Sequence, residues 1–473
     1  MTRKVISNFF YQAIYQLVII ILPIITVPII SRALLPEGVG AFNFVSSIVN
    51  YFVLVAALGL STYAVREISV VRYDKIMLSR KFWEIQIFNL IFSSIVVLIY
   101  LIFCFFVRYR ILFFIQSLTV ISVIFDISWF FQGVEDFKKI TMTNLIVKVF
   151  SFGAILFFVN DPSDLIAYTL INAISTLLST FVFWLFIKKY IVFIHVTLSQ
   201  AMQHFFPALN FFLLKLSSTI FINFNKTLLG IMVSMSAVGY FSNSLTLVTI
   251  IGSLINTMNI VMLPRMSLLE SEKKEEVLMD TLSIVIHFQL FLTIALMFGL
   301  IATANKMVPW FFGNKFLATI KMIQILSPIV VLQSLHQGIA NQFLVPKNKM
   351  RSYNITMIIG TIISVLTGII LIPSIGVYGA IIGFLFGQIT LAFTRSYTLV
   401  KKTVFKFNFI NILKYIASGI GMNIVIFILT SKMAATPLTN ILQIIIGFFV
   451  YMILTIMFHV NPLTSMVRKL PKK

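Results

Sequence analysis

In the stretch HFFPALNFFLLKLSSTIFINFNKTLLGIM, Lys215, Thr219, Asn223 and Lys226 fall at i, i+4, i+8 and i+11. At about 100° per residue these four share one helix face. An ammonium in contact with lipid costs roughly 3 kcal/mol or more, so both lysines are expected to face a bundle interior or a watery cavity. The 11 residues between them correspond to a rise of roughly 16 Å, the spacing of successive stations along a path. The chemistry such groups offer is charge-assisted hydrogen bonding to an anion, a phosphate or pyrophosphate above all. Lys148, in an earlier apolar run, is a third cation of the same kind.

Other apolar runs carry polar stripes at helical spacing. They are Asn8, Gln12, Tyr15 and Gln16; Asn43, Ser47 and Asn50; Thr246, Thr249, Ser253 and Asn256; and Gln333, His336, Gln337 and Asn341. Such stripes line a cleft or join neighbouring helices by hydrogen bonds. For Asn223 and Gln337, taken as binding candidates beside the lysines, both readings stand. Arg66 and Arg265 are candidates at the inner mouth of a path, with ordinary anchoring at the membrane surface as the alternative. His336 is the one histidine expected to reach a cleft. Pro23, Pro28 and Pro328 fall in mid-helix, where they either permit flexing or fix static kinks.

Several chemistries are missing from this pattern. Of 14 acidic residues, only Asp126 lies inside an apolar run, with Glu84 at the edge of another. A cation-coupled drug antiporter needs buried carboxylates, so that class is disfavoured. There is no G-x-x-x-x-G-K-[ST] loop, no HExxH or other metal spacing among the five histidines, and no nucleophile motif. No catalytic residue, metal or cofactor is therefore expected, and the chain does not read as an enzyme.

The elements that position these residues are membrane helices. Of 473 residues 59% are hydrophobic and 11% charged, which marks an integral membrane protein. Fourteen apolar segments, from 8–31 and 41–65 to 410–431 and 439–460, each suffice to cross a bilayer at about 20 residues per span. The first follows Arg3 and Lys4 directly and reads as a span rather than a cleaved signal. The single Cys104 lies within an apolar run and reads as a core residue. A net charge of +22 would suggest nucleic acid in a soluble chain. Here the basic residues sit between spans, where they set orientation, and no nucleic acid partner is expected. With the N-terminus inside, most of the 36 Lys and Arg fall on the cytoplasmic side, while Arg32, Arg108, Arg110, Lys306, Lys315, Lys321 and Lys432 fall outside. Both termini are thus expected in the cytoplasm. The loops are too short for an external catalytic domain, which disfavours a membrane glycosyltransferase or polymerase.

Internal similarity organises the spans. Gly38-Val39-Gly40-Ala41-Phe42 corresponds to Ala237-Val238-Gly239-Tyr240-Phe241, and Arg66 to Arg265, at one offset of 199 residues. The reading is an N-lobe over 1–200, a C-lobe over 201–400, and two further helices with a cytoplasmic tail over 401–473. Six spans per lobe relate the two by an axis along the membrane normal.

The first sixty-odd residues, with NFFYQAIYQLVIIILPIITVPIISRALLPEGVGAFNF and YFVLVAALGLSTYAVREIS, resemble the Wzx-type flippases. These form the polysaccharide-transporter branch of the multidrug/oligosaccharidyl-lipid/polysaccharide exporter superfamily. Residues 126–139, DISWFFQGVEDFKK, resemble that family too, through Asp126, Trp129, Phe130, Gln132, Gly133 and Glu135. In this stretch Trp129–Phe131 are expected as an interfacial belt, Gly133 as a helix terminator, and Asp126 as a counter-ion for Lys148. The resemblance implies a MATE-like all-α fold of about fourteen helices and the transfer of polyprenyl-pyrophosphate-linked oligosaccharide across the bacterial plasma membrane. It implies as partners that lipid-linked glycan, the bilayer, and a polysaccharide polymerase with other biosynthetic proteins. One departure is Asn225, before Lys226, where the family often has an acid.

Overall fold

The backbone solution to a chain this apolar is helix throughout, because lipid offers no partner for an unpaired N–H or C=O. The computed structural model describes residues 2–463, with side chains described except at 2–17, 19, 20, 213, 214, 254, 256 and 260. Asn8, Gln12, Tyr15, Gln16 and Asn256 of the polar stripes therefore lie outside the described side chains. Every regular element among the described residues is helical.

Among the described residues, twelve helices are long and apolar enough to cross a membrane, or thirteen when Leu198–Phe212 and Lys215–Met232, bent by 55°, count as one span. The first of these, Ile21–Val71, has 51 residues. Straight, it would reach about 76 Å, more than twice a hydrocarbon core of about 30 Å. It is broken at Leu35 (φ 58°, ψ 175°), just before Pro36, so the chain forms two helices here, 2–34 and 36–57. The sequence leads one to expect fourteen passages, against the twelve or thirteen found among the described residues.

The contacts divide the chain into two compact units: residues up to Gly230 with Ser234–Val238, and Ile231–Val233 with the chain from Gly239 onward. The helix Phe205–Met232, bearing Lys215 and Lys226, thus belongs almost wholly to the first.

The core of the first unit is aromatic and takes in the 126–139 motif. Trp129, Phe130 and Phe131 are 1%, 0% and 0% exposed, packed against Phe82, Phe183 and Tyr190. They form no interfacial belt. The helix Arg110–Phe125 ends at Asp126, whose carboxylate accepts from Ser128 N at 2.9 Å. The short helix Ser128–Gly133 then turns its aromatic face inward. Gly133 does more than end that helix. A Cβ there would lie 2.5 Å from Ile68 Cγ2, so glycine lets the segment close on Leu60–Val71. Two residues on, Glu135 pairs with Arg72 of that neighbour.

The second unit has its own core, in which Phe291, Tyr415, Met422 and Tyr451 meet. The last two helices, Phe409–Thr430 and Pro437–Met457, pack into it rather than standing apart. Tyr451 Oη donates to Phe291 O at 2.9 Å, and Asn440 Nδ2 to Thr303 O at 3.3 Å.

Candidate functional site

The polar face of Phe205–Met232 meets the polar face of helix 36–57. Ser47 Oγ and Thr227 Oγ1 lie 2.8 Å apart, Asn50 Nδ2 donates to Asn223 Oδ1 at 3.3 Å, and Lys226 Nζ reaches Asn43 Oδ1 at 3.5 Å. Further along, Lys215 Nζ donates to Ser61 Oγ. Ser61 is held there by Gly59, whose φ of 72° and would-be Cβ 2.4 Å from Phe212 N admit only glycine. The four residues seen at helical spacing therefore do share a face, and the structure supplies its partner.

Asn223 is buried, and its Nδ2 also donates to Thr219 O at 3.0 Å. Its Oδ1 joins the neighbouring helix while its Nδ2 bonds back to its own, which is the structural alternative its sequence left open. The lysines differ. Among the described residues, Lys148, Lys215 and Lys226 have no carboxylate within 4.0 Å. The hydrogen-bond partners of Lys215 and Lys226, Ser61 and Asn43, are neutral. Asp126 forms no ion pair with Lys148; its Oδ1 accepts from Ser128 N in the turn that follows the helix. The lysine within its field is Lys215.

Lys148 lies instead on a cavity of about 350 Å³ inside the first unit. Three helices wall it: 2–34 through Pro23 and Thr26, Phe137–Phe158 through Asn144 and Lys148, and Leu165–Phe181 through Tyr168 and Asn172. Asp136, just before Phe137–Phe158, fixes the start of the helix that carries Lys148. Its carboxylate accepts from Lys139 Nζ and from Tyr190 Oη, both at 2.6 Å. Burial raises the pKa of Asp136, but these two hydrogen bonds outweigh burial and hold it below the usual carboxylate range.

The remaining candidates are not gathered with the lysines. Arg66 and Arg265 are exposed, the first on Leu60–Val71 and the second near the end of Met235–Ser271. Gln337 is half-buried on Ile329–Ile339, where its carbonyl accepts from Asn341 Nδ2 at 3.0 Å. His336, expected at a cleft, is 6% exposed inside the second unit. Its Nε2 faces Gln388 Oε1 at 2.8 Å and its Nδ1 faces Arg395 Nη1 at 3.1 Å. Because a guanidinium only donates, Nδ1 is the acceptor and the ring is neutral. Arg395, 2% exposed, also donates to His336 O at 3.0 Å and stacks on the Tyr353 ring at 4.6 Å.

Two arrangements escaped the sequence reading. One is a buried chain in the first unit: Tyr63 Oη to His204 Nδ1 at 2.6 Å, His204 Nε2 to Glu84 Oε2 at 3.3 Å, and Glu84 to Lys81 Nζ at 2.9 Å. Its members are scattered over more than a hundred residues of sequence, so no local spacing announces it. The other is the polar face of Leu165–Phe181, where Tyr168, Asn172, Thr176 and Ser179 recur at i, i+4, i+8 and i+11. That signal was present in the sequence, in the same spacing as the lysine stripe.

Residues 5–270 match a family described as polysaccharide biosynthesis protein. A protein of Escherichia coli (strain K12) named "Putative O-antigen transporter" is 22% identical over 387 residues, 76% of this chain and 88% of that one. Among solved structures, the lipid II flippase MurJ in an inward closed conformation is similar at a TM-score of 0.73 and 16% identity, over 97% of this chain and 99% of that chain. An inward-facing multidrug resistance MATE family transporter of the MOP superfamily is similar at a TM-score of 0.61 and 16% identity, over 83% and 99%. At these identities the structural likeness is one of fold.

Proposed function

The chain belongs to the polysaccharide biosynthesis protein family, and from that premise we propose that it moves polyprenyl-pyrophosphate-linked oligosaccharide repeat units across the bacterial plasma membrane by alternating access. The product would serve O-antigen, capsule or exopolysaccharide assembly. The observation that carries this reading is the set of ammonium groups on apolar helices, Lys148, Lys215 and Lys226, none of which has a carboxylate within ion-pair distance among the described residues. An uncompensated charge in a low-dielectric setting is costly, and an anionic passenger offsets that cost while it is bound. Lys215 and Lys226, 11 residues apart on one helix, are the proposed contacts for the pyrophosphate. Arg66 and Arg265 are proposed to attract the anionic head at the cytoplasmic side, the side to which the proposal also assigns both termini. A polysaccharide polymerase would take up the product.

A cation-coupled antiporter on this fold would need free carboxylates within its spans. Such groups are scarce among the described helices: Glu84 is paired with Lys81 and His204, and Asp126 closes the end of its helix by accepting from Ser128 N. The short loops likewise oppose an enzymatic role in glycan synthesis.

Replacing Lys226 or Lys215 by Ala removes a charge-assisted hydrogen bond of about 1.5–3 kcal/mol, a factor of roughly 10–100 in affinity. Surface polysaccharide should fall by about tenfold or more while the amount of protein in the membrane holds steady. Unaltered polymer in both variants would remove the lysines from the mechanism.

A further inference from the structure

The second unit carries a cavity that the transport reading leaves unused. Its volume is about 780 Å³, within the roughly 300–1,000 Å³ typical of small-molecule sites, and every residue lining it belongs to that unit. One wall is the face of Glu275–Phe311 bearing Ser283, Ile284 and His287; another is the segment 406–411, which leads into Phe409–Thr430. This segment is fixed in place. His287 Nε2 accepts from Asn408 N at 3.4 Å, and Asn408 Oδ1 accepts from Asn411 N at 3.1 Å. With Nε2 as the acceptor the imidazole is neutral, so among the lining residues Lys406 is the one cation, and none is acidic. Lys406 has no hydrogen bond or ion pair to any described residue, and the Ser283 hydroxyl and the amide N–H groups of the Asn408 and Asn411 side chains donate to none.

The position of the cavity is as telling as its polar groups. The candidate span Val377–Lys402 ends, and the candidate span Phe409–Thr430 begins, on either side of residues 403–408, so the cavity lies where hydrocarbon gives way to water. Its apolar rim is open: Ile284, Phe409 and Ile410 are 52%, 69% and 67% exposed. A ligand suited to this place brings one negative charge, oxygens that accept several hydrogen bonds, and an apolar part that stays in lipid. A phosphodiester phospholipid has all three. Free phosphate lacks the apolar part, and a lipid pyrophosphate sets two or more charges against a single ammonium. Ser283 Oγ and Asn411 Oδ1 also keep lone pairs, which suit the hydroxyls of a polyol headgroup, and basic pockets between membrane helices bind anionic headgroups in this way. We infer that the cavity holds the headgroup of an anionic phospholipid of the phosphatidylglycerol type, its phosphate on Lys406, Asn408 and Asn411 and its acyl chains against Ile284 and Ile410. This site is separate from the lysines proposed for the cargo and does not rest on that reading.

The test is native mass spectrometry of the full chain in detergent, titrated with phosphatidylglycerol, phosphatidylethanolamine, undecaprenyl pyrophosphate and glycerol 3-phosphate. Phosphatidylglycerol should bind at least fivefold more tightly than phosphatidylethanolamine. Lys406→Gln should weaken it by at least fivefold and erase that preference, and Asn411→Leu should weaken it by two- to threefold. Lys402→Gln, at an exposed lysine outside the cavity, should leave it unchanged. Lys406 is exposed, so its variant should keep the melting temperature of the unaltered protein, and Asn411→Leu reads the site a second time should it not. Equal losses from Lys402→Gln and Lys406→Gln would reveal diffuse attraction to a basic surface and overturn the site. So would the absence of a preference for phosphatidylglycerol, or binding indifferent to both Lys406→Gln and Asn411→Leu. Displacement of phosphatidylglycerol by glycerol 3-phosphate at equal concentration would assign the cavity to a free phosphate instead, and a larger loss for undecaprenyl pyrophosphate than for phosphatidylglycerol in Lys406→Gln would assign it to the pyrophosphate lipid.

Discussion

Gly133 illustrates how much a single residue's meaning depends on what stands across from it. In sequence it ends an aromatic segment, and a helix terminator is the natural reading. In the fold the missing side chain is what admits Ile68, whose Cγ2 and Cβ lie 2.5 and 2.7 Å from where a Cβ would be. Ile68 is β-branched and fully buried, so it has no room to yield. Gly133→Val should therefore destabilise the protein by about 1–3 kcal/mol through overpacking, read as a fall in melting temperature in detergent, with Gly133→Ala smaller in the same direction. A melting temperature unchanged by valine would mean that the contact with Leu60–Val71 is not tight. The lysines show the converse case. Insertion energetics alone mark Lys148, Lys215 and Lys226 as sheltered from lipid. Which neutral groups shelter them, Ser61 and Asn43 for two of the three, is visible only when the helices are packed.

At the scale of elements, the break at Leu35 separates two helices that an uninterrupted apolar pattern would run together. A leucine at φ 58° and ψ 175° occupies backbone space that only glycine enters freely, at a cost of roughly 1–3 kcal/mol. Leu35→Gly should relieve that strain. Since Leu35 is only half-buried, a net stabilisation of about 1 kcal/mol is expected, measured as a rise in melting temperature. A fall would show that the side chain's packing exceeds the strain. The seam between helix 36–57 and Phe205–Met232 was legible as two matching stripes, because periodicity is a local property of each helix. That the stripes face one another was not, since rotation about a helix axis is set by neighbours distant in sequence. The same limit explains Trp129–Phe131: aromatics beside charges suit an interface, but the turn at Asp126 aims them into the core.

For the whole molecule, the asymmetry of Lys and Arg across the spans predicts which ends lie inside. Reporter fusions after Glu37 and after Lys473 should read outside and inside respectively, and the opposite pair would overturn the assignment. Membership of the membrane-helical class and the approximate places of its apolar spans followed from the sequence by itself. Hydropathy and the 1.5 Å rise per residue are properties of short stretches, and neither depends on what lies alongside. Only the tertiary structure decided the rest: that His336 is buried beside Arg395, that Asn223 is bonded to a neighbouring helix and to its own, and that Lys148 lines a cavity walled by three helices. Those outcomes turn on which side chain stands opposite which, a relation fixed by packing between segments as far apart as Thr26 and Thr176 or His336 and Arg395.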